Sequence, residues 1–348
     1  MKILVTDYVW PSLDVEQGVL GEIGAELVPA PDGEEETLVR LAEGCSGILT
    51  CWAQTTQRVI EAALPNLKVI VRYGVGLDNI DVAFATVQGI PVANVPDYCF
   101  VDVAEQTMAL LLGLSHKVAR FDRLIREGTW DIQTGLPLRR LTGQVLGLVG
   151  FGQVAREVIP RAQAFGLKVI AHSRSLTPQQ AQEYGVETVD LDTLLRTSDF
   201  VSLHCPSTDE TRGMIDADAL AKMKATACLI NTSRGDIIDE AALHVALEQE
   251  TIAGAALDVR CQEPPGENDH LIKMEQVIHS PHAAFYSQEL LVELQRKAAW
   301  EARRVLTGEA PVHLVNPEYK SNHSTGEAYN ERSEYQHRQT RIEGKNIG

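Results

Sequence analysis

An apolar run, Leu146 to Val149, passes straight into Gly150-Phe-Gly152-Gln-Val-Ala155 and then into a helical pattern reaching Phe165. This is a strand, a tight turn and a helix start. Glycines at 150 and 152 let the backbone approach a ligand closely. The free N–H groups of Gln153 and Val154, at the positive end of the helix dipole, suit a phosphate. Ala155 stands at the position of the third glycine of the dinucleotide fingerprint, which tolerates it. An ordinary strand–helix turn is the competing reading of a single such match. Twenty-two residues beyond Gly150, after a second apolar run Lys168 to Ala171, come His172-Ser173-Arg174. A reader of NAD carries Asp or Glu there. Ser173 and Arg174 instead supply a hydroxyl and a fixed positive charge, the pairing for a ribose 2′-phosphate. The cofactor expectation is NADP, with NAD as the alternative.

The rest of the chain extends this strand-and-helix grammar. Short apolar runs at Ile3–Thr6, Glu26–Pro29, Gly47–Thr50, Val69–Arg72 and Val92–Asn94 alternate with helical patterns, as do later runs at Phe200–His204, Cys228–Asn231, Ala253–Asp258 and Val277–His279. Such alternation predicts parallel sheets covered by helices on both faces. With 348 residues, 44% of them hydrophobic, the expectation is an α/β protein of two doubly wound domains. A continuous helix is predicted over Val101–Glu127, crossing between the domains.

Charge narrows the function. Lys and Arg number 31 and Asp and Glu 48, for a net charge of −17, so the field of the protein repels nucleic acid and anionic lipid. The six cysteines contain no CxxC pair and fall mostly in apolar runs, which predicts reduced, buried thiols and a cytoplasmic protein. No signal-peptide layout or membrane span is read, and no metal site. Residues 318–348 are polar and poor in apolar groups, and disorder is expected there.

Ligands of doubly wound sheets sit at the carboxyl ends of the strands. In the first hundred residues these ends are Thr50-Cys51-Trp52 and Arg72-Tyr73-Gly74-Val75-Gly76, the latter with glycines that expose N–H groups to an anion. In the second half they carry Arg234, Glu263 and His282. A carboxylate orients an imidazole and favours its protonated form, which then donates a proton to a carbonyl oxygen; a guanidinium pins a carboxylate with two parallel hydrogen bonds.

The motifs LGLVGFGQVA at 146, NTSRGDIIDEAAL at 231, AGAALDV with QEP at 253–264 and SPHAAFYS at 280 together resemble the D-isomer-specific 2-hydroxyacid dehydrogenases over nearly the whole chain. RYGVGLDNID at 72, VPDYC at 95 and PHAAFYS at 281 are most similar to the branch that includes the C-terminal binding proteins, although that branch usually has Trp at Phe285 and Asp at Ser173.

The resemblance implies a flavodoxin-like substrate domain, residues 1–98 with 286–317, into which a Rossmann cofactor domain, 99–285, is inserted. It implies hydride transfer between a nicotinamide and a 2-keto or D-2-hydroxy acid. His282 becomes the acid/base, Glu263 its partner and Arg234 the carboxylate binder, helped by the N–H groups of Val75 and Gly76. Asp258 holds the nicotinamide carboxamide, and Pro206, Thr232, Ser233 and His282 line that half of the cofactor. Trp52, Tyr98, Cys99 and Phe285 are pocket walls by position. A homodimer is implied. The alternatives are a nucleotide-sensing corepressor, or oxidation of phosphoglycerate or phosphonate with added positive charge from Arg72.

Overall fold

The computed structural model describes residues 1–322; of the segment 318–348, expected to be disordered, all but the first five residues lie outside the described residues. At the start of that segment Tyr319–Asn322 forms one helical turn. The chain divides into two compact units, Met1–Tyr98 with the segment from Gln288, and Cys99–Ser287.

The first unit holds β1 (Lys2–Val5), β2 (Glu26–Pro29), β3 (Gly47–Thr50), β4 (Val69–Arg72) and β5 (Val92–Ala93), parallel in the order β2-β1-β3-β4-β5. The helix Gln288–Leu306 packs on this sheet through Leu290, Leu291, Leu294, Ala298 and Ala302. Val305 and Leu306, expected on the same face, are only half-buried. One polar link crosses the apolar seam. Glu16 is fully buried and accepts 3.0 and 2.8 Å hydrogen bonds from the Tyr73 hydroxyl and the Gln295 amide. Burial pushes its carboxyl upward, and those bonds only partly oppose the shift.

The second unit holds β6 (Val145–Val149), β7 (Lys168–His172), β8 (Glu187–Thr188), β9 (Phe200–Leu203), β10 (Cys228–Asn231), β11 (Gly254–Leu257) and β12 (Val277–His279). All are parallel, in the order β12-β11-β10-β9-β6-β7-β8. Successive residues of a strand point to opposite faces. Leu229 and Ala255 accordingly enter one core while their neighbours Ile230 and Ala256 enter another. Both faces are therefore covered, as in doubly wound sheets. β8, two exposed polar residues at the sheet edge, carries no apolar signal and has no counterpart in the sequence reading.

Two expectations need correction. The helix predicted over Val101–Glu127 is two helices, Phe100–Ser115 and Val118–Arg126, broken where Lys117 adopts a left-handed φ of 53°. The apolar spacing continues across the break, so periodicity alone hides it. The thiols are not all buried either. Cys45, Cys51 and Cys99 are, Cys205 and Cys228 are half-buried, and Cys261 is exposed; none of the six forms a disulfide. Among the described residues no helix is long and apolar enough to cross a membrane, and no cluster of metal-ligating side chains occurs.

Candidate active site

The glycine turn after β6 is shaped by two different demands. Gly150 has a φ of +105°, and a Cβ there would lie 2.4 Å from the His204 carbonyl oxygen, so no side chain fits. At Gly152 a Cβ would meet nothing within 4 Å, so that position faces open space. The helix Gln153–Ala164 begins at once, with Gly152 as its N-cap and no side chain capping it. Its first N–H groups, at Gln153 and Val154, are left to an external acceptor. β6 lies between β7 and β9, where the strand order reverses, the place such sheets bind nucleotides. These residues fit the pyrophosphate of a dinucleotide.

At the end of β7, Ser173 shares a 3.1 Å hydroxyl contact with Ser175, while Arg174 is paired with Glu210 at the surface. Their side chains are 77% and 67% exposed, so water competes for the pair and the guanidinium is not committed to it.

The strand ends β10, β11 and β12 build the second cluster. Asn231 is fully buried; its carboxamide oxygen accepts from Ser233 N–H at 3.0 Å and its nitrogen donates to the Arg234 carbonyl at 2.8 Å. The Ser233 hydroxyl donates to the Cys205 carbonyl, Thr232 meets Thr107 hydroxyl to hydroxyl at 3.0 Å, and Pro206 accepts from Thr211 at 2.6 Å. Gly235 lets this turn press against the next: a Cβ there would sit 2.0 Å from the carbonyl carbon of Arg260. Arg260 is buried and bridges both oxygens of Glu240, at 3.0 Å each, and Asp269, at 2.6 Å. Its own N–H then holds Glu263 Oε1 at 2.8 Å.

The other oxygen of Glu263 meets His282 Nδ1 at 2.7 Å. Burial works to raise the Glu263 pKa, but the His282 contact and charge, the Arg260 N–H and the Arg234 charge together hold it below the usual carboxylate range. Glu263 is thus an acceptor, Nδ1 carries the shared proton, and Nε2 is left for transfer chemistry. His282 itself has a left-handed φ of 51°. That strained turn is fixed by Asp258, 1% exposed, whose carboxylate accepts from the Ser280 hydroxyl and from Ala283 and Ala284 N–H at 3.0 Å each. Phe285 sets its ring edge-on to His282 at 6.3 Å.

Arg234, Glu263 and His282 therefore converge within one unit. Trp52, Val75, Gly76 and Tyr98 belong to the first unit. There the Trp52 N–H donates to Asp7 at 2.7 Å, and the Val75 and Gly76 N–H groups have no acceptor among the described residues. The sequence reading passed over Asn231, Gly235, and Arg260 with its acid partners. Asn two residues before a Ser-Arg-Gly turn is a readable signal for the first two. Arg260 offers none, because its partners are 20 and 9 residues away.

Comparison with known proteins gives the family. The family described as D-isomer specific 2-hydroxyacid dehydrogenase, NAD binding domain, matches residues 108–284. A glyoxylate reductase of Korarchaeum cryptofilum is 38% identical over 288 residues, 82% of this chain and 86% of that protein. A D-3-phosphoglycerate dehydrogenase of Methanocaldococcus jannaschii is 37% identical over 91% of this chain, which spans 59% of that longer protein. The crystal structure of a glyoxylate reductase from Paecilomyes thermophila superposes with a TM-score of 0.80 at 29% identity, covering 91% of this chain and 98% of that one. The chain belongs to the D-isomer-specific 2-hydroxyacid dehydrogenase family, nicotinamide-dependent oxidoreductases that interconvert 2-keto acids and D-2-hydroxy acids.

Proposed function

We propose that His282 is the acid/base of this oxidoreductase, Glu263 its orienting partner and Arg234 the group that binds the substrate carboxylate. The 2.7 Å contact between His282 Nδ1 and Glu263 carries this reading, because it leaves Nε2 as the proton donor and a carboxylate to stabilise the charged ring. The bound nicotinamide supplies or accepts the hydride at the substrate C2. In the reducing direction His282 protonates the carbonyl oxygen, while Arg234 orients the acid and stabilises negative charge growing on that oxygen. Gly150, Gly152, Gln153 and Val154 hold the pyrophosphate. Pro206, Thr232, Ser233 and Asp258 flank the nicotinamide. The Val75 and Gly76 N–H groups share the substrate carboxylate, with Trp52, Tyr98 and Phe285 setting the size of the R group.

The substrate is a small 2-keto acid. Glyoxylate is the first to test, since the similar proteins from Korarchaeum cryptofilum and Paecilomyes thermophila are named for its reduction. A second reading is a 2-hydroxy acid bearing a phosphate. Arg72, beside the Val75–Gly76 turn, has a buried Nε without a partner, and the Methanocaldococcus jannaschii relative is named for phosphoglycerate oxidation. A panel of 2-keto acids and phosphorylated analogues, run with NADPH and NADH, decides between them; no turnover of any overturns both.

NADP is the proposed cofactor, through Ser173 and Arg174. Arg174→Ala should lower kcat/KM with NADPH about tenfold and leave NADH nearly unchanged, since one charge-assisted hydrogen bond contributes about that factor. A parent enzyme that already prefers NADH would sink the assignment. A cytoplasmic location, supported by six cysteines of which none forms a disulfide, and a homodimer complete the reading.

A further inference from the structure

The first unit buries a carboxylate that the chemistry above leaves idle. Glu16, on the helix Asp14–Gly21, has no accessible surface, and Tyr73, Gln295 and Trp10 around it are buried as well. The Tyr73 hydroxyl donates to one carboxylate oxygen at 3.0 Å and the Gln295 amide to the other at 2.8 Å. That amide also donates to the Ser12 carbonyl at 3.0 Å, so the chain entering the helix is fastened with it. Trp10 sets its ring edge-on to Tyr73 at 4.7 Å. Among the described residues no cation pairs with Glu16, and burial opposes its ionised form. A buried carboxylate held only by neutral donors is a poor stabiliser, because apolar residues of similar volume commonly hold such a seam as well or better. Stability does not account for it.

Its place in the chain does. Tyr73 is the residue between β4 and the Gly74-Val75-Gly76 turn. Its N–H donates to the Thr50 carbonyl at 2.8 Å, its carbonyl accepts from the Arg72 guanidinium, and its hydroxyl reaches Glu16. Backbone and side chain of this one residue are both pinned. Gly74 then bends the chain with a φ of +131°. The Gly74 carbonyl accepts from Val95 N–H at 3.0 Å and the Val75 carbonyl from the Asn94 amide at 2.9 Å. With both carbonyls tied to residues 94 and 95, the N–H groups of Val75 and Gly76 are left for a ligand. The ties to 94 and 95 fix which way the turn faces. The tie to Glu16 fixes where it stands relative to the helices Asp14–Gly21 and Gln288–Leu306, which supply Glu16 and Gln295.

We propose that Tyr73 and Glu16 are positioning residues for the substrate: their buried hydrogen bond sets the place of the Gly74–Gly76 turn, and with it the point at which two backbone N–H groups meet a carboxylate. The role rests on the reading that Val75 and Gly76 share the substrate carboxylate. Hydrogen bonds weaken steeply once distance and angle depart from their preferred values, so a turn free to shift binds that group less well. The carboxylate is unchanged by the reaction. A displaced turn therefore weakens substrate and transition state alike, and the loss falls on KM rather than on kcat.

The test replaces the polar link by apolar packing, Tyr73→Phe with Glu16→Leu, in the full chain saturated with its nicotinamide dinucleotide. The melting temperature of this double variant should equal or exceed the parent's. Its KM for glyoxylate should nevertheless rise about tenfold, with kcat nearly unchanged. The inhibition constant of oxamate, a carboxylate that is not reduced, should rise by the same factor. Tyr73→Phe alone should show the full rise, because the two residues act through one bond. Val75→Pro deletes a donor of the turn itself at an exposed side chain and serves as the reference. A rise in KM for Val75→Pro without one for the double variant overturns the positioning role alone. An unchanged KM in Val75→Pro overturns the carboxylate reading of the turn and this role with it. A double variant that melts lower and loses kcat in step with KM also overturns the role, since the cluster would then hold the fold and nothing more.

Discussion

Two turns at the carboxyl edge of one sheet solve opposite problems. The turn Gly150–Val154 works by lacking side chains: Gly150 must clear the His204 carbonyl, Gly152 leaves open space, and the donors are backbone N–H groups. The cluster of Arg234, Glu263 and His282 works by a surplus of side chains, each held by another. Asn231 shapes the arginine's turn, Arg260 anchors the turn of Glu263, and Asp258 braces that of His282. The first turn is a local object of five residues, the second a network drawn from three loops. A phosphate cradle tolerates little but can be written locally; proton transfer needs geometry fixed to tenths of an ångström, and only a cross-braced set supplies it.

The largest effect expected is on the chemistry. His282→Ala should lower kcat by ~10²- to 10⁴-fold while dinucleotide affinity moves only a few-fold, since general acid catalysis contributes that much and the cradle is separate. Near-parental turnover would break the division between the two turns. Next comes the brace itself. In Gly235→Ala the new methyl meets the Arg260 carbonyl carbon, so the turns must part at a cost of ~1–3 kcal/mol. Melting temperature and kcat should fall together; a stable, fully active variant would show that the two turns do not support each other.

The glycines of the cradle separate in the same way. Gly150→Ala should destabilise the fold by ~1–3 kcal/mol, from a positive φ and a backbone clash. Gly152→Ala should melt like the parent and lose about tenfold in dinucleotide affinity, a difference of ~1.4 kcal/mol. Equal effects at the two positions would contradict the assignment of one to folding and the other to the ligand.

Acidification spreads its effect over a range of pH. Burial pushes the His204 pKa down to about 4. The unfolded chain takes that proton near ~6.5, so stability falls as pH drops through the interval between the two values. Glu263, held low, adds stability above its unfolded value that is lost as pH falls through its folded one. Melting temperature should decline from about pH 6.5 downward. His204→Asn should flatten the upper part of the curve and Glu263→Gln the lower, as thermal scans from pH 7 to pH 4 would show.

Sequence by itself determined every strand but β8, because a short apolar run between turn signals has few other fates in an alternating chain. It determined the phosphate turn, because its requirements lie within six consecutive residues. It also named the three groups proposed to be reactive, through their positions after strands, although their meeting was an expectation rather than a deduction. What tertiary structure decided is wherever the partner is distant in sequence. The break at Lys117 leaves the apolar period intact. The pairing of Arg174 with Glu210 spans 36 residues, and the anchoring of Arg260 by Glu240 and Asp269 spans 20 and 9. Backbone conformation and periodicity are local, whereas the burial and pairing of charge depend on which loops the completed sheet brings side by side.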